Sequence, residues 1–343
     1  MKKSSLLLIY TGGTIGMKHN PSDGTLRPFD FSQILDEVPE LAKYALKIDS
    51  VTFDPLIDSS DVEPAVWTQI ALTIRDNYDV YDGFVVLHGT DTMAYSASAL
   101  SFMLENLGKP VIFTGSQLPI GLPRPDGREN LISAVEIAAA KNPDGSATVP
   151  EVAIFFDSYL LRGNRATKLS CEDFRAFSSP NFPPLAEAGV NIRYNLKLIL
   201  PPSKKPLEVH TSLDTRVSIL KIHPGITPEV AETFILSPAI KAVILETYGS
   251  GNAMVRPWLK DILTRGRNEG KIIVNVSQCL TGSVDMSLYA TGKFLSDEGV
   301  LSGFDSTTEA MLSKLFYLLG ANLSRDEIIS ALSRPLRGEI TLL

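Results

Sequence analysis

Short, continuous runs of apolar residues punctuate the first half of the chain. Leu6–Tyr10, Gly83–His88, Pro110–Thr114 and Glu151–Phe156 are hydrophobic nearly throughout and bounded by Gly, Pro or Asp. Strands of a parallel sheet covered on both faces read this way, because neither side of such a strand meets water. Between them the period lengthens to that of a helix. Ala97, Leu100, Leu104 and Leu107 recur every three or four residues, so a helix is expected over Met93–Leu107, stopped by Gly108. A second helix is expected to begin near Pro64, where Ser60-Asp61-Val62-Glu63 has capping-box spacing. A third is expected over Arg128–Lys141.

The rhythm breaks at 191–213, where Pro201-Pro202-Ser203-Lys204-Lys205-Pro206 has the polar, proline-rich character of a linker. It resumes with strands at Val217–Ile222, Ala242–Thr247 and Lys271–Val276. The expected architecture is α/β with two α/β domains. The larger, residues 1–190, is a mostly parallel sheet with helices on both faces; the smaller spans 214–343, and 191–213 links them.

Composition narrows the function. Hydrophobic residues make up 44% of the chain, ample for two cores, and 32 basic residues against 39 acidic ones give a net charge of -7. That balance argues against nucleic acid or an anionic membrane as partner, since both need a basic surface. Only Cys171 and Cys279 occur, far apart in sequence, which fits a reducing compartment rather than a disulfide framework. Lys2-Lys3 before Leu6-Leu7-Leu8-Ile9 has the outline of a signal peptide. The run is short, lacks a small-residue cleavage site and leads into Thr11-Gly12-Gly13-Thr14, so it reads as a buried strand. No apolar stretch approaches the roughly 20 residues of a membrane span.

In such a sheet, ligands sit beyond the carboxyl ends of the strands. Three strands end there in small, hydroxyl-bearing, glycine-punctuated loops: Thr11-Gly12-Gly13-Thr14-Ile15-Gly16, His88-Gly89-Thr90-Asp91-Thr92 and Thr114-Gly115-Ser116-Gln117. Glycine lets backbone N–H groups approach a ligand closely enough to hold a carboxylate or an oxyanion. Each loop also has a plain reading. Thr-Gly-Gly-Thr serves as a tight turn, and Asp91 or Thr92 as a helix N-cap. No GxGxxG follows the first strand and no GxxxxGK[ST] occurs, so nucleotide binding is not indicated. His19, His88, His210 and His223 form no metal-type pair, and no metal or cofactor is expected. A threonine nucleophile needs a base within hydrogen-bond reach. Asp91 and Lys168 are the candidates, with Arg162 and Arg165 near enough in sequence to disfavour charge on Lys168.

Together, Thr11-Gly12-Gly13-Thr14-Ile15-Gly16 and His88-Gly89-Thr90-Asp91-Thr92 resemble the two signatures of the bacterial asparaginase/glutaminase family. The likeness runs over essentially the whole chain. Residues 98–107, Arg162-Gly163-Asn164-Arg165, Tyr248-Gly249-Ser250-Gly251-Asn252 and Leu336-Arg337-Gly338-Glu339 are similar to its type I, cytoplasmic branch. The resemblance implies hydrolysis of L-asparagine to L-aspartate and ammonia through a threonine nucleophile and an acyl-enzyme. It assigns attack to Thr14 and a hydrogen-bonded triad to Thr90, Asp91 and Lys168. Ser59 or Ser60 would hold the substrate α-carboxylate, Asp91 its α-ammonium, and Ser116 would line the amide pocket. It further implies a cytoplasmic homodimer, or a tetramer made of two dimers, with a neighbouring chain helping to close each site. A lid over Met17–Pro28 is also implied, but it lacks the tyrosine that many members carry, and Thr25 is its nearest hydroxyl. That tyrosine's role is therefore not carried over. Nor is regulation by asparagine at a second site, because Glu246 is acidic where a carboxylate needs a basic partner. The rival readings are a glutaminase or dual amidase, an amidase subunit supplying ammonia to a tRNA-modifying partner, and a non-catalytic amino-acid sensor.

Overall fold

The computed structural model describes residues 4–19, 26–28, 38–120 and 123–342. The chain divides into two compact units, Met1–Thr211 and Ser212–Leu343. Unit one is built on eight strands: β1 (Ser5–Tyr10), β2 (Lys47–Thr52), β3 (Gly83–Leu87), β4 (Val111–Thr114), β5 (Val152–Phe156), β6 (Tyr159–Arg162), β7 (Ala186–Ala188) and β8 (Ile192–Tyr194). Their order is β8-β7-β6-β5-β4-β3-β1-β2. Pairings from β2 through β5 are parallel, and those from β5 to β8 antiparallel. The chain steps from β1 outward to β2, then crosses back to place β3 on the other flank of β1. The sheet's winding therefore reverses between β1 and β3, and the crevice at that reversal is where such sheets hold ligands.

The apolar runs explain the central strands. Every residue of β1, β3, β4 and β5 is buried. Alternate side chains serve opposite faces. Leu6, Leu8, Tyr10, Val85, Leu87 and Ile112 pack with Leu131, Ala134, Val135 and Ala138 of a helix over Gly127–Ala139. Leu7, Ile9, Phe84, Val86 and Phe113 face the other way and are equally buried.

Two helix readings need correcting. The helix that begins at Met93 ends at Met103, because Leu104–Glu105 pairs antiparallel with Glu208–Val209 and Asn106 turns the chain at a φ of 62°. The helix beginning at Pro64 (Pro64–Asn77) is N-capped at Glu63 with no side-chain cap. Ser60 lies in a separate turn of 3-10 helix, Ser59–Asp61, whose cap is Asp58. Asp58 accepts both the N–H and the hydroxyl of Ser60, each at 2.9 Å, and so holds Ser60 in that turn rather than at the helix start.

Unit two carries a four-stranded parallel sheet, ordered Val217–Lys221, Ala242–Thr247, Ile272–Ser277, Leu301–Ser302. One face packs on Leu259, Ile262 and Leu263, the other on Met311, Leu315 and Leu318. Beneath the latter lies a fully buried ion pair, with Lys314 Nζ 2.6 Å from Glu339 Oε1. Glu339 accepts the backbone N–H groups of Leu336 and Arg337, and Lys314 donates to the carbonyl of Arg334. The pair closes the 334–339 loop against the helix Thr308–Gly320. Breaking one member of a buried pair strands the other charge without water. Glu339→Ala or Lys314→Ala is expected to cost about 3–5 kcal/mol in denaturant unfolding, and Lys314→Met with Glu339→Leu far less than the sum of the two losses.

Candidate active site

Glycine backbone brings three loops together at the β1/β3 reversal. Thr11 N–H and its hydroxyl both donate to the Leu87 carbonyl, at 3.0 and 2.9 Å, tying the end of β1 to the end of β3. Gly12 and Gly13 then turn with φ of 137° and 90°. A Cβ on Gly13 would lie 2.6 Å from the Gly89 nitrogen, one on Gly12 would strike the Ile57 carbonyl, and one on Gly89 would strike the Ser59 hydroxyl. The Thr11–Gly16 turn and the His88–Thr92 loop therefore pack main chain to main chain, and the Ser59 side chain packs on the Gly89 main chain, at a spacing only glycine allows.

Thr14 starts a short 3-10 turn after Gly13 and is half-buried. Thr90 follows Gly89 directly. Lys168 reaches it from the pair Thr167–Lys168 and Phe177–Ser178, donating to Thr90 Oγ1 at 2.8 Å and to Asp91 Oδ1 at 2.7 Å. The Asp91 side chain is 62% exposed, while that of Lys168 is 18% exposed. Asp91 does not cap the helix that follows. Thr92 holds that position and its hydroxyl instead donates to the Ser59 carbonyl at 2.7 Å. Arg162 is salt-bridged to buried Glu151 at 2.6 Å, and both Arg162 and Arg165 lie over the Phe182 ring. The partner bonded to the Lys168 amine besides Thr90 is a carboxylate, Asp91.

The two serines after β2 separate. Ser59 is buried against Gly89, whereas Ser60 is exposed and donates its hydroxyl to Asp58 at 2.9 Å. Ser116 is 3% exposed, and its hydroxyl has no hydrogen-bond partner among the described residues. Met17–His19 and Leu26–Pro28 pair antiparallel, so the two ends of the expected lid lie side by side. Thr25 and the remainder, 20–25, lie outside the described residues. Among the described residues no group of three His, Cys, Asp or Glu is placed to hold a metal, and no helix is long and apolar enough to cross a membrane.

Sequence reasoning gives His88, just before Gly89-Thr90, a structural hydrogen bond, but misses two features around it. One is Gln117, which reaches Thr90. The other lies beneath the His88–Thr92 loop, where Trp67 Nε1 donates to Ser96 Oγ at 2.9 Å and Ser96 Oγ sits 2.9 Å from His88 Nε2. His88 Nδ1 is 2.7 Å from the Gly89 carbonyl, which only accepts, so Nδ1 carries the proton and Nε2 accepts from Ser96. No short-range pattern links position 67 to 88 and 96. Burial holds the His88 pKa down, to about 4, so the ring is neutral in the fold. An unfolded histidine titrates near 6.5, so the unfolded chain binds the extra proton first as pH falls. The stabilisation is complete above about pH 6.5 and is lost as pH drops toward 4, by at most about 3 kcal/mol. Unfolding free energy measured across that window is expected to show this slope, and His88→Gln to flatten it.

Comparison with known proteins places this geometry. A family model described as Asparaginase, N-terminal matches residues 5–200, and Glutaminase/Asparaginase C-terminal domain matches 216–332. L-asparaginase 1 of Escherichia coli (strain K12) is 44% identical over 345 residues, covering 99% of each chain. The 60 kDa lysophospholipase of Mus musculus is 42% identical over 360 residues, covering 98% of this chain and 62% of its own. The crystal structure of L-asparaginase I from Vibrio cholerae matches with a TM-score of 0.90 at 43% identity, covering 99% of this chain and 100% of its own.

Proposed function

The chain belongs to the asparaginase family, and from that premise we propose that it hydrolyses the side-chain amide of L-asparagine to L-aspartate and ammonia. The observation that carries the proposal is the Lys168 amine. It lies within hydrogen-bond reach of both Thr90 and Asp91, at the strand end packed against the Thr14 turn. A binding protein has no use for an amine buried against a hydroxyl, whereas acyl transfer needs a relay for protons.

In this reading the Thr14 oxygen adds to the amide carbon, and backbone N–H groups of the glycine loops receive the developing oxyanion. The proton that Thr14 gives up passes through the Thr90–Lys168 network to the leaving nitrogen, the C–N bond breaks and ammonia departs. Water then adds to the Thr14 ester, releasing aspartate and restoring the hydroxyl. Asp91 has Oδ1 on Lys168, which leaves Oδ2 for the substrate α-ammonium. Ser59 suits the α-carboxylate better than Ser60, since Ser60 is taken up by Asp58. The unpartnered Ser116 hydroxyl suits the side-chain amide. Ammonia release from asparagine and from glutamine, measured side by side on the pure protein, tests the substrate. One methylene is worth about 1–3 kcal/mol in such a pocket, so asparagine is expected to lead by roughly 10-fold or more in kcat/KM.

Thr14→Ala and Thr90→Val are each expected to cut kcat by about 10³-fold or more with the fold intact, and the double variant to lose little beyond either. Lys168→Met is expected to be similarly damaging. Lys168→Arg should not restore turnover, because a guanidinium keeps its proton.

A cytoplasmic homodimer, or a pair of such dimers, is the proposed functional unit. Exposed, free Cys171 and Cys279 suit a reducing compartment. Leu288 and Tyr289 are exposed just past Met286, which packs on Gly251 of the 248–252 loop, and a second copy would cover them. Sedimentation is expected to give a dimer or tetramer that accounts for the activity. Full turnover in a verified monomer would contradict it.

A further inference from the structure

Gln117 follows Ser116 in the loop after β4, and three hydrogen bonds of its own, with one from Leu118, fix it. Asp126 accepts the N–H groups of Gln117 and Leu118, each at 2.9 Å, so one carboxylate clamps two successive amides. The Gln117 side chain donates from Nε2 to the Asp173 carbonyl at 3.2 Å. A carbonyl only accepts, which settles the amide's orientation and turns Oε1 toward Thr90. The Thr90 hydroxyl donates to that Oε1 at 3.4 Å.

A hydroxyl has one proton. In this arrangement it points at Gln117, and Thr90 Oγ1 offers a lone pair to the Lys168 amine at 2.8 Å. The same amine is salt-bridged to Asp91 at 2.7 Å, as an ammonium is. Proton transfer from Thr90 requires the reverse, with the hydroxyl proton on the Lys168 side and the amine holding a lone pair. Resting on the amidase reading above, we propose that Gln117 is a positioning residue that holds the Thr90 proton away from Lys168 until substrate displaces it. The Gln117 acceptor stabilises the arm of the network in which Lys168 is charged. The Gln117–Asp173 bond ties that setting to the turn following Lys168, in which Ser170 accepts the N–H groups of Glu172 and Asp173.

Among the described residues, the titratable groups bonded to this network or packed beneath it are these. Asp91 comes from the same loop as Thr90, Asp126 from the start of the helix Gly127–Ala139, and Asp173 through its main chain. His88, beneath the loop, is neutral.

Two variants separate this role from a merely structural one by moving the pH profile in opposite directions. Gln117→Leu removes the acceptor, so the acid limb of kcat/KM is expected to move down by about half a unit to one unit. Activity on that limb then rises roughly 3- to 10-fold. Gln117→Glu supplies a stronger, charged acceptor at the same place, and the limb is expected to move up by a similar amount. Both variants lose the donor to the Asp173 carbonyl, so any fall in thermal stability is expected to be small and of the same sign in the two, unlike the opposite shifts of the limb. If Gln117→Leu leaves the limb in place, or both variants shift it the same way, the proposal is overturned while the amidase reading stands. If the parent releases no ammonia from asparagine or glutamine, the amidase reading itself falls and takes this role with it.

Discussion

Contact between the Gly13 and Gly89 main chains governs the rest of unit one's chemistry. Two strands that flank a reversal in the sheet end side by side, and their following loops compete for the same space. Side chains would prop those loops apart. With glycine at 12, 13 and 89 the backbones close to van der Waals range, and the residues immediately after them, Thr14 and Thr90, are carried into one crevice. Neither threonine is placed by its own packing, as both are half-buried. Their position is inherited from rigid strands, each buried along its whole length, through turns that allow no other spacing.

The same economy appears in the polar groups that the two units bury. Arg162 meets Glu151, Lys314 meets Glu339, and His88 meets Ser96 and the Gly89 carbonyl. Each buried charge or ring is answered by a specific partner, as low-dielectric surroundings require. Some partners are close in sequence, as Glu151 and Arg162 are at the two ends of the β5–β6 hairpin, and others span a helix and its following loop, as Lys314 and Glu339 do. They lock turns that hydrophobic packing alone leaves undetermined, such as the 334–339 loop around Glu339.

Much of this was legible in the sequence for a simple reason. Strands covered on both faces are uniformly apolar, so β1, β3, β4 and β5 stand out against any background. Edge strands do not. β2, Lys47-Ile48-Asp49-Ser50-Val51-Thr52, is exposed or half-exposed along its length and reads as an ordinary polar stretch. The helix end at Met103 was hidden as well, because Leu104 continues the helical period while its backbone pairs with Val209, more than a hundred residues on. At the site, the hydroxyls and glycines that follow strand ends were visible as a pattern. Choosing between Ser59 and Ser60 was not, since it turns on one local bond to Asp58. Gln117 escaped because its relation to Thr90 exists only after β3 and β4 are laid side by side.

Trp67, Ser96 and His88 also bear on how such a chain drifts over generations. The indole donates to a hydroxyl that in turn donates to an imidazole, and all three are buried. Exchange of Ser96, which both accepts and donates, for an apolar residue leaves His88 Nε2 without its donor in the interior. A lineage that loses Ser96 is therefore expected to pass through a weakened intermediate unless position 88 changes with it, so the peptide running from His88 to Thr90 is tied to a residue eight places further along the chain.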